Sequence, residues 1–253
     1  AKAKEAKAKV GSENVVDATI GCLYDGEGTL VALDRVFSSL KNLDNKVLAA
    51  YAASFTGNPD FRQKVYDWVL NGNSHLEHEV IATPGGTGAV GMTLQECLDE
   101  GQTVVLPEIA WGSYALMAQM HNLNVEKYSL FEEDHFNLNS FKSACKNVME
   151  KQNRLVIVIN DPCHNPTGYS LSEDEWKEVI SFLNECSKTH AVVLLNDIAY
   201  IDFSSRQEKA KEYFAQFDQI EKNFVVIVAF SLSKSMTSYG LRCGAAIVLG
   251  QEK

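Results

Sequence analysis

The chain has 253 residues, 45% of them hydrophobic and 22% charged, which is too apolar for an intrinsically disordered chain and long enough to bury a large core. With 33 acidic against 23 basic residues the net charge is −10, which disfavours nucleic acid and anionic lipid as general partners. The longest apolar run, residues 224–230, is far short of the ~20 residues of a membrane-spanning helix, and the six cysteines contain no C-x-x-C pair, as expected of reduced thiols in a cytoplasmic protein.

In chain order, the Ala/Lys alternation of residues 1–10 predicts a solvated helix or frayed terminus, without the apolar centre of a signal peptide. Residues 17–28 are Gly-rich and expected to be extended, leading into the main domain, and residues 33–40 are weakly helical. Asn58-Pro59-Asp60 opens a helix with Phe61, Val65 and Val69 on one face and Gly72 beyond its end. His75-Leu76-Glu77-His78-Glu79 lacks metalloprotease spacing and is expected to be a solvated polar loop.

From there short apolar runs recur at 80–83, 104–106, 125–130, 155–159, 192–195, 224–229 and 245–249. Helical patterns lie between most of them. Val90, Leu94 and Leu98 share one face; Phe141, Cys145, Val148 and Met149 share another; Ser172-Glu173-Asp174-Glu175 is a capping box ahead of Trp176, Ile180 and Leu183. This alternation predicts an α/β fold, a mostly parallel seven-stranded sheet with helices on both faces. Ligands of such sheets bind beyond the carboxyl ends of strands, so the residues after each run carry the functional expectation.

After the first run, Thr83-Pro84-Gly85-Gly86-Thr87-Gly88 precedes a helix; it suits either phosphate binding or a plain tight turn, and lacks the lysine of a nucleotide P-loop. After the fourth, Asn160-Asp161-Pro162-Cys163-His164-Asn165-Pro166-Thr167-Gly168 is a loop stiffened by two prolines that can fix Asn165. Cys163 and His164 are adjacent and form no metal-ligand pattern, so no metal is expected. The fifth run ends in Asn196-Asp197-Ile198-Ala199-Tyr200. There a carboxylate among apolar neighbours needs a cation, and a structural ion pair is one answer. The sixth ends in Ser231-Leu232-Ser233-Lys234, followed by Gly240 and Arg242. A lysine beside an apolar strand can become nucleophilic. Ser231-x-x-Lys234 also fits the S-x-x-K of serine β-lactamases, but the S-D-N and K-T-G partners are missing.

Taken together, the Thr83 to Gly88 turn, Trp111, Asn165-Pro166-Thr167-Gly168, Asp197 to Tyr200, Ser231 to Lys234 and Arg242 resemble, in order and spacing, the aspartate and aromatic aminotransferase group (class I) of fold-type I pyridoxal-phosphate enzymes. The resemblance implies an enzyme that moves an amino group between an acidic or aromatic amino acid and a 2-oxo acid. Lys234 would be the Schiff-base lysine. Asp197 would pair with the pyridine nitrogen, Asn165 and Tyr200 with the phenolic oxygen, and Trp111 would stack on the ring. Gly85, Gly86, Thr87, Ser231, Ser233 and Arg242 would hold the phosphate. Tyr51 resembles a tyrosine that reaches the phosphate of the neighbouring subunit of a homodimer. Ile20 and Gly21 resemble a strip that closes over substrate, with Trp111 and Asn165 also touching it.

The resemblance further implies that residues 1–50 contribute to a small domain and the active-site entrance, that 51–253 form the large cofactor-binding domain, and that the rest of the small domain, with the arginine for the substrate carboxylate, lies beyond this chain. One departure concerns Asp197: three residues after Trp111 the group carries histidine and this chain has Tyr114. A carbon–sulfur lyase of the same fold would share the lysine, aspartate and asparagine, because the cofactor makes the same carbanion. A cofactor-binding regulatory module is disfavoured by the lack of a basic helix-turn-helix pattern.

Overall fold

The computed structural model describes residues 2–15 and 21–252. It falls into two compact units, Ala1–Leu43 and Asp44–Lys253. In the first, helix α1 (Lys2–Val10) buries no side chain, as its Ala/Lys pattern predicts. The stretch expected to be extended differs. Residues 17–20 lie outside the described residues, and the next segment is a turn bridged from Tyr24 to Leu30. Asp25 causes it: its Oδ1 accepts from the amides of Glu27 at 3.0 Å and Thr29 at 2.8 Å, an Asx-type turn that competes with an extended backbone. Helix α2 (Asp34–Lys41) ends this unit's regular structure.

The second unit opens with α3 (Asn45–Ala49) and α4 (Pro59–Leu70). Asn58 caps α4 by accepting from the Asp60 amide, Pro59 occupies the first turn, and Val65, Val69 and Leu70 are buried. The seven apolar runs become seven strands of one sheet: β1 (Glu77–Thr83), β2 (Thr103–Pro107), β3 (Asn124–Tyr128), then, after a small hairpin of β4 (Phe131–Glu132) and β5 (His135–Phe136), β6 (Arg154–Asn160), β7 (Ala191–Asp197), β8 (Phe224–Ser231) and β9 (Gly244–Gly250). Their order is β1-β9-β8-β7-β6-β2-β3. The four pairings β8-β7, β7-β6, β6-β2 and β2-β3 are parallel; β9 runs antiparallel to both neighbours. The polar loop expected at 75–79 is corrected, because Glu77, His78 and Glu79 pair with Gly250, Leu249 and Val248. His78 also stacks on Tyr66, ring centroids 3.8 Å apart. An edge strand tolerates that polarity, since one of its sides faces solvent.

Alternation along the strands sorts the core into two layers. Leu155, Ile157 and Ile159 of β6 pack with α4, α7 (Leu138–Met149) and α8 (Glu173–Ser187) on one face. Val156 and Val158 pack with α5 (Gly85–Cys97) and α6 (Ser113–Met120) on the other. Helices therefore cover both faces, which is why the strands are apolar throughout. The capping box of α8 is fully formed, Ser172 and Glu175 each accepting from the other's amide.

Candidate active site

With β9 antiparallel to both β1 and β8, the carboxyl ends of β1, β2, β6, β7 and β8 lie at one edge of the sheet, and β9 starts there. Thr83 and Ser231 flank Gly244 from either side, and Asp197 pairs with Asn160 and Ala229. Loops remote in sequence are thereby collected at one place.

At the β1, β8 and β9 corner, the glycine turn forms the first turn of α5 rather than a loop before it. Gly85 takes φ +74°, and a Cβ there would lie 2.7 Å from Arg242 Nη2. A Cβ on Gly86 would touch Ser231 Cβ at 3.2 Å. Arg242 Nη1 donates to Ser233 Oγ (3.1 Å) and to the Tyr239 carbonyl (2.9 Å), and Nη2 to Thr87 Oγ1 (3.5 Å). Ser231 Oγ accepts from the Ser233 amide. A guanidinium fork, three hydroxyls and the first-turn amides of α5, which have no intrahelical acceptor, are thus gathered where glycine permits close approach. This donor set suits a phosphate-sized dianion.

Beside it stands Asp197, 5% exposed. Its Oδ2 accepts from the Tyr114 hydroxyl at 2.6 Å and its Oδ1 from the Ala199 amide at 3.0 Å. The cation or ion pair expected for it is replaced at contact distance by a phenol and a backbone N–H. Burial pushes the Asp197 carboxyl up, opposed by Tyr114, Ala199 and the charge of Lys234. Tyr114, 1% exposed, has its own ionisation pushed well above the ordinary tyrosine range by burial and by the Asp197 charge, so it remains a donor. Its ring meets the Trp111 indole edge to face, centroids 5.4 Å apart at 87°.

Asn165 Nδ2 donates to the Tyr200 hydroxyl at 3.3 Å. Lys234 Nζ lies 5.6 Å from the centroid of the Tyr200 ring and 5.2 Å from that of Tyr239. Asn165, Asp197, Tyr200 and Lys234 accordingly form one cluster, and Gly85, Gly86, Thr87, Ser231, Ser233 and Arg242 another, with Ser233 and Lys234 adjacent on the short helix α9 (Leu232–Ser235). Tyr51 stands apart, fully exposed at 102%. Gly21 belongs to the N-terminal unit, and Ile20 lies outside the described residues.

Two supporting residues were not assigned roles from sequence. Asn160 Oδ1 accepts from the Asn165 amide at 2.7 Å while its Nδ2 donates to the Asp197 carbonyl at 2.8 Å, joining the proline loop to β7. Asp161 is buried, accepting from the Leu171 amide at 2.7 Å and Trp176 Nε1 at 3.0 Å, and burial raises its carboxyl to about 7. The signal for both was their position, directly after an apolar run.

Comparison with known proteins places this geometry in a lineage. The chain is 22% identical to the mitochondrial aspartate aminotransferase of Saccharomyces cerevisiae, over 95% of this chain and 58% of that protein. It is 26% identical to an aspartate aminotransferase of Pseudomonas aeruginosa, over 94% of this chain and 60% of that protein. Among solved structures, an aminotransferase of Anaerococcus prevotii superposes with a TM-score of 0.93 at 37% identity, covering 100% of this chain and 62% of that one. An aromatic-amino-acid aminotransferase of Burkholderia pseudomallei, covalently bound to pyridoxal phosphate, shares the fold with a TM-score of 0.78 at 22% identity, over 98% of this chain and 62% of its own. The chain spans about three fifths of the length of the relatives it matches. The family profile described as aminotransferase class I and II matches residues 13–251, so the chain belongs to the class I and II aminotransferase family.

Proposed function

We propose that this chain carries the cofactor site of a pyridoxal-phosphate-dependent aminotransferase that exchanges an amino group between an acidic or aromatic amino acid and a 2-oxo acid. The reading rests on one juxtaposition: a buried carboxylate, a lysine between aromatic rings and an arginine-hydroxyl cradle at the ends of neighbouring strands. Arg242, Ser231, Ser233, Gly85, Gly86 and Thr87 would hold the phosphate, Asp197 the ring nitrogen, Asn165 and Tyr200 the phenolic oxygen, Trp111 the ring face and Lys234 the aldehyde. When bound, pyridoxal phosphate supplies an aldehyde and an electron-withdrawing pyridine ring that stabilises charge at a substrate α-carbon.

The protein's part follows from its own groups. Asp197, held at both oxygens, keeps a proton on the ring nitrogen, because in a site of low polarity a carboxylate gains most by facing a positive partner. Lys234 Nζ, flanked by the rings of Tyr200 and Tyr239, can take and return the proton of the α-carbon. Asn165 and Tyr200 orient each other, and Asn160 fixes the loop that carries Asn165.

We further propose a homodimer in the cytoplasm, with the active sites at the interface and Gly21 and Ile20 near the substrate entrance. Supporting the first is the full exposure of Tyr51 and Phe55 (102% and 110%), apolar surface of the kind that a second subunit covers. Supporting the second are six thiols without a disulfide. The separate roles of residues 1–50 and 51–253 belong to the same proposal.

Incubation with pyridoxal phosphate, hydride reduction and peptide mapping test the reading. The label is expected on Lys234, and a label on another lysine overturns it. The full-length protein should then transfer nitrogen between an amino acid and a 2-oxo acid. Thiol release from a thioether amino acid without such transfer would replace it with a carbon–sulfur lyase.

A further inference from the structure

The hydroxyl of Tyr114 is buried with one acceptor, Asp197 Oδ2, at 2.6 Å. That is the length of an O–H···O⁻ bond to an ionised oxygen. The second oxygen, Oδ1, is held by the Ala199 amide at 3.0 Å. Two fixed donors, one on each oxygen, define the plane of the carboxyl group and leave outward lone pairs for a third partner.

The other titratable groups around this pair are Lys234 near Asp197, and Tyr200 and Tyr128 near Tyr114. Against that background the phenol has a distinct property as a support. An imidazole in the same place could become cationic and compete with a positively charged ligand for the carboxylate. A phenol donates a hydrogen bond and stays neutral, so the negative charge of Asp197 remains available to whatever it faces. The same ring supports the Trp111 indole edge to face.

Resting on the cofactor reading above, we propose that Tyr114 is a positioning residue: it holds Asp197 as an oriented carboxylate toward the pyridine nitrogen, while its ring packs at right angles against Trp111. Of these two supports, the hydroxyl governs the protonation of the ring nitrogen, and the ring alone serves the indole.

Tyr114→Phe isolates the hydroxyl, since it keeps the ring against Trp111. The experiment binds pyridoxal phosphate carrying ¹⁵N in its ring to the whole chain and reads the affinity and the ¹⁵N chemical shift at fixed pH. In the unsubstituted chain the shift should be that of a protonated pyridine. In Tyr114→Phe the affinity should fall about tenfold, and the shift should move toward the neutral-pyridine value, because loss of a charge-assisted bond leaves the carboxylate less stable. Tyr114→His restores an N–H donor, and should return the shift most of the way at a pH where the imidazole is neutral but not where it is cationic. In an Asp197→Asn background, adding Tyr114→Phe should change affinity less than twofold, since the partner is already gone.

An unchanged shift and affinity in Tyr114→Phe, with the cofactor trapped on Lys234, overturns this inference and leaves the cofactor reading intact. Equal losses from Tyr114→Phe in both Asp197 backgrounds also overturn it, because they make the effect a general loss of packing. No trapped cofactor on Lys234 in the unsubstituted chain overturns the cofactor reading and this inference with it.

Discussion

The hydroxyl of Tyr114 and the carboxylate of Asp197, 83 residues apart in sequence, meet at 2.6 Å in the buried core beneath the candidate site. The contact connects the start of α6 to the end of β7. It lets a carboxylate remain in a place where an unpartnered charge would be prohibitive.

That contact predicts a pH-dependent stability for the cofactor-free chain. A hydrogen bond to a charged group contributes about 1.5–3 kcal/mol, so Tyr114→Phe should destabilise by that order where Asp197 is ionised. Burial raises the Asp197 carboxyl, and the neutral acid needs the donor less. The loss should therefore be small near pH 4 and grow as pH rises through the raised value. Urea unfolding at pH 4 and pH 8 measures this, and a pH-independent loss would remove the charge-assisted bond from the account.

Arg242 reaches three different residues, Ser233, Tyr239 and Thr87, from the two ends of its guanidinium. Lysine keeps the charge but cannot span that arrangement. Arg242→Lys should lower pyridoxal-phosphate affinity about tenfold, equivalent to about 1.4 kcal/mol, and leave affinity for pyridoxal without phosphate within twofold. Parallel equilibrium titrations with the two ligands decide it, and equal losses for both would take Arg242 away from the phosphate.

Two glycines at the same corner should respond differently. At Gly244 an added Cβ would lie 2.5 Å from the Phe230 carbonyl oxygen and 2.6 Å from the Gly85 carbonyl carbon. Both are backbone, so Gly244→Ala should lower stability by about 1–3 kcal/mol through forced displacement. At Gly85 the near neighbour is the movable end of Arg242. Gly85→Ala should incur the left-handed backbone penalty, about 1–2 kcal/mol, and in addition lose phosphate affinity. Thermal unfolding and phosphate-dependent quenching, measured on both variants, separate the two effects.

Asp161 offers a pH test away from the cofactor. Its folded carboxyl is raised to about 7 by burial, above the ~3.9 of an unfolded aspartate. The folded state therefore holds the proton more tightly. This contribution to stability is complete below pH ~4, is lost as pH rises through about 7, and is flat beyond. Asp161→Asn should flatten the slope between pH 4 and 7. At acid pH it should cost about 1–3 kcal/mol, because an amide has one oxygen for two donors, the Leu171 N–H and Trp176 Nε1–H. Unfolding series at pH 4.5, 6 and 8 check both statements.

Much of this architecture is legible in the residues alone. Each of the seven apolar runs is a strand of the sheet, and the Ser172–Glu175 box caps α8 as written, because both signals are local and strong. The position of β9 between β1 and β8 is not legible. Strand order depends on which edges meet, and Ala245 to Leu249 would suit a parallel neighbour equally well. The Gly-rich turn falls after β1 as expected, yet it opens α5 directly, with Gly85 left-handed at its start, because helix propensity gave way to the need for close approach of Arg242 and Ser231. Tyr114 stands out in the sequence as a departure, but only the fold, which brings the start of α6 to the end of β7, turns it into a hydrogen bond. Glu77 to Glu79 mislead for the opposite reason: their polarity hides a strand at the edge of the sheet.

The span between Thr87 and Arg242, 155 residues, has a consequence for how the chain acquires its structure. The contact between them exists only after β1, β8 and β9 have found one another, which requires closing the longest loops in the unit. Closing such long loops is slow. Any anion that binds there draws the assembled chain out of the unfolded population by mass action, so cofactor supply during synthesis would raise the yield of folded protein by acting on a junction made of distant segments.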